Sequence, residues 1–222
     1  MFISTDDRRK LESEMNKTFR NGVPIYGNNA KMVIFLLHTG LRFGELTALK
    51  WKNVHLNDNK IFITENSPII KNRDKSLHKA YVLDNTTTKR KNSERYVPLS
   101  NKAHAIIQYF YDNYGHKNDD LVFVSEKNTP ANRRNVNRTL KGMLVSAGCK
   151  IQNASVHDLR HSFGSELIKQ NVDIKVVSKL MGHADITTTY NVYIHILDEQ
   201  CCSAVDIFNA PDIITGMEKI IS

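Results

Sequence analysis

Apolar residues recur at helical spacing over most of this chain and give way to strand-like runs only in its middle. Leu11 and Met15 lie i,i+4 apart behind Thr5, which can cap a first helix that Gly22 and Pro24 stop. The segment AKMVIFLLHTG is apolar almost all round, is long enough for a buried helix, and ends at Gly40. A short helix over 43–49 follows, with Leu46 and Leu49 on one side. The pattern then changes. KIFIT at 60–64 is β-branched and aromatic and is preceded by the turn residues Asn57, Asp58 and Asn59. YVL at 81–83 and YVPL at 96–99 are two further short strands, and the three form a small antiparallel sheet on the flank of a helical domain.

Helices return after Ser100. AHAIIQYFYDNYG is amphipathic, and RRNVNRTLKGMLVSAG carries Val136, Leu140 and Leu144 at i,i+4 spacing. Ser155 and Asp158 form a capping box that opens a helix to 168, Asp173 caps one that ends at Gly182, and Asp185 caps a last long one through 195. A short tail helix interrupted by Pro211 is expected beyond Cys201. The prediction is one domain, residues 1–222, mainly α with a small antiparallel β-sheet (α+β).

Composition narrows what such a domain can be. Hydrophobic residues make up 41% of the 222, with 10 Gly and 5 Pro, which suits a folded chain. The longest wholly apolar run, 32–37, has six residues against the roughly 20 a membrane helix requires. The start, MFISTDDRRK, turns charged before any signal-like stretch develops. Cys149, Cys201 and Cys202 make neither a disulfide framework nor a Cys-x-x-Cys zinc pair, and they fit a reducing cytoplasm. Lys and Arg number 31 against 23 Asp and Glu, a net charge of +8 that favours a polyanionic partner. The excess is concentrated. Residues 71–95 hold Lys71, Arg73, Lys75, Lys79, Lys89, Arg90, Lys91 and Arg95 against Asp74, Asp84 and Glu94, and Arg133, Arg134, Arg138 and Lys141 share one helix. Basic strand connections and helix starts suit phosphate contacts, and equally a solvated, aggregation-resistant edge.

Three stretches could carry chemistry. HTGLRFGELTALKW puts Arg42 at a turn that opens a helix, where a guanidinium fork and backbone N–H groups could grip a phosphate, with Glu45 three residues on to orient it. HDLRHSF places His157 and Arg160 on one helical face and turns His161 elsewhere. LMGHADITTTYNVYIH supplies His183 after the Gly182 break, with Tyr190 and Tyr193 at offsets of seven and ten. A phenol is a poor nucleophile at its free pKa of about 10, and a sensible one where cations neutralise the phosphate it attacks. Each stretch also has an ordinary explanation: a surface ion pair, a packed or capping histidine, an amphipathic core tyrosine.

Taken in order, Arg, Lys, His-x-x-Arg, Gly-His and Tyr resemble the catalytic domain of the tyrosine recombinases, or phage integrase family, over about 2–195. The resemblance implies that fold and a set of roles. Arg42 and Arg160 would be the catalytic arginines, Glu45 the acidic companion of Arg42, His157 and His183 the histidines, and Tyr193 the nucleophile, with Tyr190 not required. The family's lysine lies in a turn upstream of S-x-R-x-x-P-L, here SERYVPL, which implies Lys89, with Lys91 also in range. Arg90, Lys91, Arg133 and Arg134 would contact DNA phosphates.

Tyr193 would attack a DNA phosphodiester to give a 3′-phosphotyrosyl link and a 5′-hydroxyl, in the integration or excision of a mobile element. No nucleotide cofactor and no metal are implied. The partners implied are double-stranded attachment sites, a tetramer on DNA that is monomeric when free, and an excisionase or host bending factor. The setting is the bacterial cytoplasm at the nucleoid, with no membrane. The family's usual N-terminal core-binding domain is expected to be absent from this sequence. The tail, 199–222, with Val205, Ile207 and Phe208, is expected to dock on a neighbouring protomer or pack within its own chain. Alternatives are a resolvase or chromosome-dimer recombinase, a topoisomerase IB-like relaxing enzyme, and a DNA-binding regulator that kept the fold. The intact Arg42, Arg160, His183 and Tyr193 argue against the last.

Overall fold

In the computed structural model, which describes residues 2–64, 69–71, 81–83, 94–115 and 117–204, the run AKMVIFLLHT becomes the central helix. That helix, α2 (Gly27–Thr39), buries Met32 through Leu37 without interruption, and Gly40 ends it in the left-handed conformation at φ +63°. Before it comes α1 (Thr5–Glu14), and after it α3 (Phe43–Ala48), one tight turn at Trp51–Asn53, β1 (Val54–His55) and β2 (Lys60–Ile63). Then follow β3 (Ile69–Lys71), β4 (Tyr81–Leu83), β5 (Arg95–Pro98), α4 (Asn101–Asn113), α5 (Arg133–Ser146), α6 (Val156–Lys169), α7 (Ile174–Met181) and α8 (Ile186–Ala204). Helices α4, α5 and α6 pack around α2, and α7 and α8 lean on α6.

The main core joins α1, α2, α4, α5 and the sheet, whereas Ile168, Val177, Met181, Tyr193 and Ile196 form a separate, smaller one between α6, α7 and α8. Among the described residues no helix is long and apolar enough to cross a membrane.

The sheet is antiparallel in the order β1-β2-β5, with Ile61 opposite Val97, Phe62 opposite Tyr96 and Ile63 opposite Arg95. Alternation sends Ile61, Ile63 and Val97 into the core, and it sends Arg95 inward with them. Strand β4 does not join this sheet. It pairs with β3 in a hairpin of its own, and the sequence reading named neither β3 nor β1 as a strand.

Two boundaries also differ from expectation. Ser4, not Thr5, caps α1: its hydroxyl accepts the Asp7 N–H at 3.1 Å, while the Thr5 hydroxyl donates to the Glu166 carboxylate. Helix α8 runs on to Ala204, and the remainder of the expected tail, with Val205, Ile207 and Phe208, lies outside the described residues.

The capping box at α6 is as expected, with the Asp158 carboxylate accepting from the Ser155 N–H at 2.8 Å and from its hydroxyl at 2.7 Å. Because α6 carries Arg160, this cap fixes where the guanidinium starts. Ser155→Ala should therefore lower the unfolding free energy by about 1 kcal/mol in a urea titration. An unchanged midpoint would mean that tertiary contacts alone start α6.

Candidate active site

Helix α7 begins at Asp173, whose carboxylate accepts the Lys175 N–H, and ends at Gly182 with φ +65°. The Gly182 N–H returns to the Lys179 carbonyl and the His183 N–H to the Ser178 carbonyl, both at 3.1 Å, the paired bonds of a Schellman ending. That pairing leaves the next three carbonyls of the helix end without backbone donors. Three arginines from three other elements take one each. Arg95 Nε on β5 donates to Leu180 O at 2.7 Å, Arg160 Nη2 on α6 to Met181 O at 2.5 Å, and Arg42 Nη2, at the entry to α3, to Gly182 O at 3.1 Å. Guanidiniums also suit the negative end of the helix dipole. A Cβ at position 182 would stand 2.5 Å from Arg95 Nη1, so glycine is required there for space as well as for φ.

Glu45 joins two of these arginines. Its Oε1 accepts from Arg42 Nη1 at 2.9 Å and Arg95 Nη1 at 3.0 Å, and its Oε2 from the Arg42 backbone N–H at 2.8 Å and Arg95 Nη2 at 2.9 Å. All four acceptor positions of the carboxylate are filled, two of them by a bidentate fork from Arg95. Burial pushes the Glu45 carboxyl upward, but the bonds and charges of Arg95 and Arg42 outweigh it and hold the carboxyl below the usual range.

Arg160 is buried, and it joins two helix ends by donating from Nη1 to Gly40 O at 2.7 Å as well as to Met181 O. Burial, and next the Arg42 charge, pull its guanidinium down to about 9, so it stays cationic at neutral pH. His183 follows the helix end directly, with Nδ1 2.8 Å from the hydroxyl of the fully buried Thr189. Burial, then Arg160, Arg42 and Arg95, lower His183 to about 4 and leave it neutral at pH 7.

Tyr193 is only 1% exposed. Its hydroxyl lies 3.5 Å from both His161 O and Met181 Sδ and faces Gly164, where any Cβ would collide with it. Burial raises the phenol to about 12, and Arg160 is the cation that opposes the rise. Desolvation thus outweighs the neighbouring cation in this conformation and holds the phenol above its free pKa of about 10.

His157 is exposed on the first turn of α6, and its ring meets His161 edge-on at 4.4 Å. The i,i+4 spacing brings His161 back beside His157 instead of turning it elsewhere. Tyr190 is exposed on α8. Arg133 and Arg134 are exposed at the start of α5, in a cleft of about 710 Å³ shared with Arg138 and Lys141, and the Arg133 guanidinium sits over the Phe43 ring beside Arg42. Lys89, Arg90 and Lys91 lie outside the described residues. The structure thus brings Arg42, Glu45, Arg160 and His183 together at one helix end. It adds Arg95 and Thr189, which the sequence reading gave no role. The signal for Arg95 was present in SERYVPL, where strand alternation aims an arginine inward.

The low carboxyl pKa of Glu45 has a consequence in acid. Its contribution is complete above the unfolded value of about 4.5 and is lost as pH falls through the lower folded value, because the unfolded chain takes up the proton first. Stability measured by denaturant titration between pH 6 and about 3 should fall less steeply for Glu45→Gln than for the wild type. Parallel slopes would show that Glu45 is not held ionised by its arginines. Gly182→Ala should destabilise the fold by about 1–3 kcal/mol in the same titration, and wild-type stability would contradict the close approach of Arg95.

The comparisons with known proteins cover the same stretch of the chain. A model of the phage integrase family matches residues 2–200. The chain is 27% identical over 196 residues to a tyrosine recombinase XerC-like protein of Caldanaerobacter subterraneus subsp. tengcongensis, covering 82% of this chain and 50% of that protein. It is 30% identical over 179 residues to tyrosine recombinase XerD of Haemophilus ducreyi, covering 78% and 52%. It therefore spans about half the length of the curated relatives it matches. In fold it resembles the Tn1549 transposon integrase, solved with transposon right end DNA, at a TM-score of 0.72 and 19% identity, covering 95% of this chain and 66% of that one. It also resembles the catalytic domain of bacteriophage HP1 integrase, at a TM-score of 0.55 and 21% identity, covering 92% and 93%. With its matched residues enclosing the whole helix-end cluster, the chain belongs to the phage integrase family of tyrosine recombinases.

Proposed function

We propose that this protein cleaves and rejoins DNA strands at specific sites through a 3′-phosphotyrosyl intermediate on Tyr193. The observation that carries the reading is the meeting of Arg42, Arg160 and a neutral His183 at the end of α7, with Tyr193 on the next helix. Each arginine spends two side-chain nitrogens on protein acceptors and keeps further N–H donors for a phosphate. The Thr189 hydroxyl lies 2.8 Å from His183 Nδ1; when it donates there, the ring proton stands on Nε2 and the imidazole serves as a neutral donor to a phosphoryl oxygen. These groups stabilise the charge that develops on the phosphoryl oxygens.

The Tyr193 oxygen forms the new bond to phosphorus as the bond to the 5′-oxygen breaks. His157 assists removal of the phenolic proton, and Lys89, or Lys91, gives a proton to the departing 5′-oxygen. Attack by a partner strand's 5′-hydroxyl reverses the step, so bond energy is kept. A phenol with a pKa near 12 is ionised to only about one part in 10⁵ at pH 7. DNA binding must therefore draw the hydroxyl from its recess beside Gly164 and Met181 towards the phosphate and its cations. Arg133 and Arg134, with Arg90 and Lys91, hold the duplex backbone in this reading, and the active assembly is a tetramer on paired attachment sites.

A mobile element as the setting is supported by the fold likeness to the Tn1549 integrase, one of whose structures holds circular intermediate DNA. The sequence likeness to XerC-like and XerD proteins favours a second reading, the same chemistry in a recombinase of the Xer kind.

A suicide substrate, attachment DNA nicked near the cleavage point, distinguishes the nucleophile. The full-length protein should form a covalent adduct that Tyr193→Phe abolishes and Tyr190→Phe retains, and absence of any adduct on its own attachment DNA would sink the enzymatic reading. On a 5′-phosphorothiolate substrate, whose leaving group needs no proton, only one of Lys89→Ala and Lys91→Ala should be restored, which identifies the general acid.

A further inference from the structure

We propose that Arg95 is a positioning residue for strand cleavage, acting through Glu45 on Arg42 and through the α7 terminus on Arg160 and His183. The inference rests on the cleavage reading above and assigns the part of the site that does not touch DNA. Arg95 is 6% exposed and sits on the inward face of β5, opposite Ile63, where alternation otherwise places apolar residues. A cation there has to be justified by what it binds.

Arg95 holds Glu45 with a two-pronged fork at 3.0 and 2.9 Å and donates from Nε to Leu180 O at 2.7 Å. The fork fixes both carboxylate oxygens, and those same oxygens hold Arg42 by its backbone and by Nη1. The Nε bond fixes the first of the three carbonyls whose neighbours, at Met181 and Gly182, hold Arg160 and Arg42. Through these bonds Arg95 places other residues of the site: Arg42 by way of Glu45, and the run of carbonyls that holds Arg160 and Arg42. In sequence it also follows Lys89 and Lys91 by six and four positions, so the strand that leads away from those lysines is tied to the same helix end.

Stability alone is a poor account of this arrangement. A buried ion pair recovers little beyond its desolvation cost and can often be replaced by apolar side chains without loss. Ile61, Ile63 and Val97 already fill the inward face of these strands. Only the fork geometry places two oxygens and a carbonyl together, and a lysine, with one compact charge, cannot reproduce it. A displacement of Arg42 of about an ångström is enough to cost up to 100-fold in a phosphoryl-transfer step while leaving the many duplex contacts intact.

The test compares Arg95→Lys and Arg95→Gln with the wild type in the full-length protein. Three quantities are read: affinity for intact attachment DNA, the single-turnover rate of adduct formation on nicked DNA, and the side-chain ¹⁵N signals of Arg42. The proposal expects both variants to bind intact DNA within about twofold of the wild type, and to form adduct about 10–100 times more slowly. The Arg42 Nη signals, held distinct by anchoring in the wild type, should collapse to one averaged signal in both. Combining Arg95→Lys with Glu45→Gln should slow the reaction by less than the product of the two single effects, because the route through Glu45 is shared.

A wild-type adduct rate in Arg95→Lys overturns the proposal, as do unchanged Arg42 signals. Thermal melting of both variants below the assay temperature also overturns it, because the residue is then structural. If the wild type itself forms no adduct, the cleavage reading fails, and the Arg42 signals in the same samples still decide whether Arg95 positions Arg42.

Discussion

Three consecutive carbonyls at the end of an eight-residue helix organise this molecule's chemistry. A helix terminus always leaves backbone acceptors, and the Schellman turn at Gly182 satisfies only those of Ser178 and Lys179. The carbonyls of Leu180, Met181 and Gly182 then act as fixed points, each claimed by an arginine from a different part of the chain. Residues 42, 95 and 160 are drawn to one place by an acceptor set that is rigid because it belongs to a helix. The requirement is mutual. The arginines are cations that would be costly to bury without acceptors, and the carbonyls would be costly to bury without donors. Among the described residues no buried side-chain nitrogen or oxygen is left without a partner.

The charge balance of this cluster explains its electrostatics. Three guanidiniums face one carboxylate, Glu45, and the surplus acts on the neighbours. Arg160 is lowered to about 9 and His183 to about 4, in each case by burial first and the other cations second. In the proposed reaction a phosphodiester entering such a field would be attracted before any bond changes, by donors already oriented. His183 can be a donor without being a cation, because Thr189 fixes its ring from the other side.

Tyr193 follows different physics. It belongs to the small core of α6, α7 and α8, where its ring packs with Ile168, Val177, Met181 and Ile196 and its hydroxyl is desolvated. The arginines are organised by the end of α7, and Tyr193, on α8, is buried against that same helix and α6. The placing of the arginines and the burial of Tyr193 thus meet at Met181, whose carbonyl holds Arg160 and whose sulfur lies beside the phenol. A small cluster resists local opening less than the main core that surrounds α2.

Much of this could be read from the chain, and the exceptions have physical causes. Helices α2, α6 and α7 announced themselves through a wholly apolar run, a capping box and a terminal glycine, all local signals. Arg42, Glu45, Arg160 and His183 could be singled out because each lies in a local motif. Arg95 went without a role because its meaning is non-local: it depends on residues 45 and 180 and on a strand face that becomes visible only once β2 and β5 pair. The burial of Tyr193 was missed for the same reason, since Gly164 and Met181 make its recess. The most direct measurement is a structure of the full-length protein trapped covalently on nicked attachment DNA. The account predicts that Arg95, Arg160 and Arg42 keep the Leu180, Met181 and Gly182 carbonyls, while a phosphate joined to Tyr193 lies against the remaining donors of Arg42 and Arg160 and against His183 Nε2. A phosphate held elsewhere, or guanidiniums that abandon those carbonyls to reach it, would contradict the account.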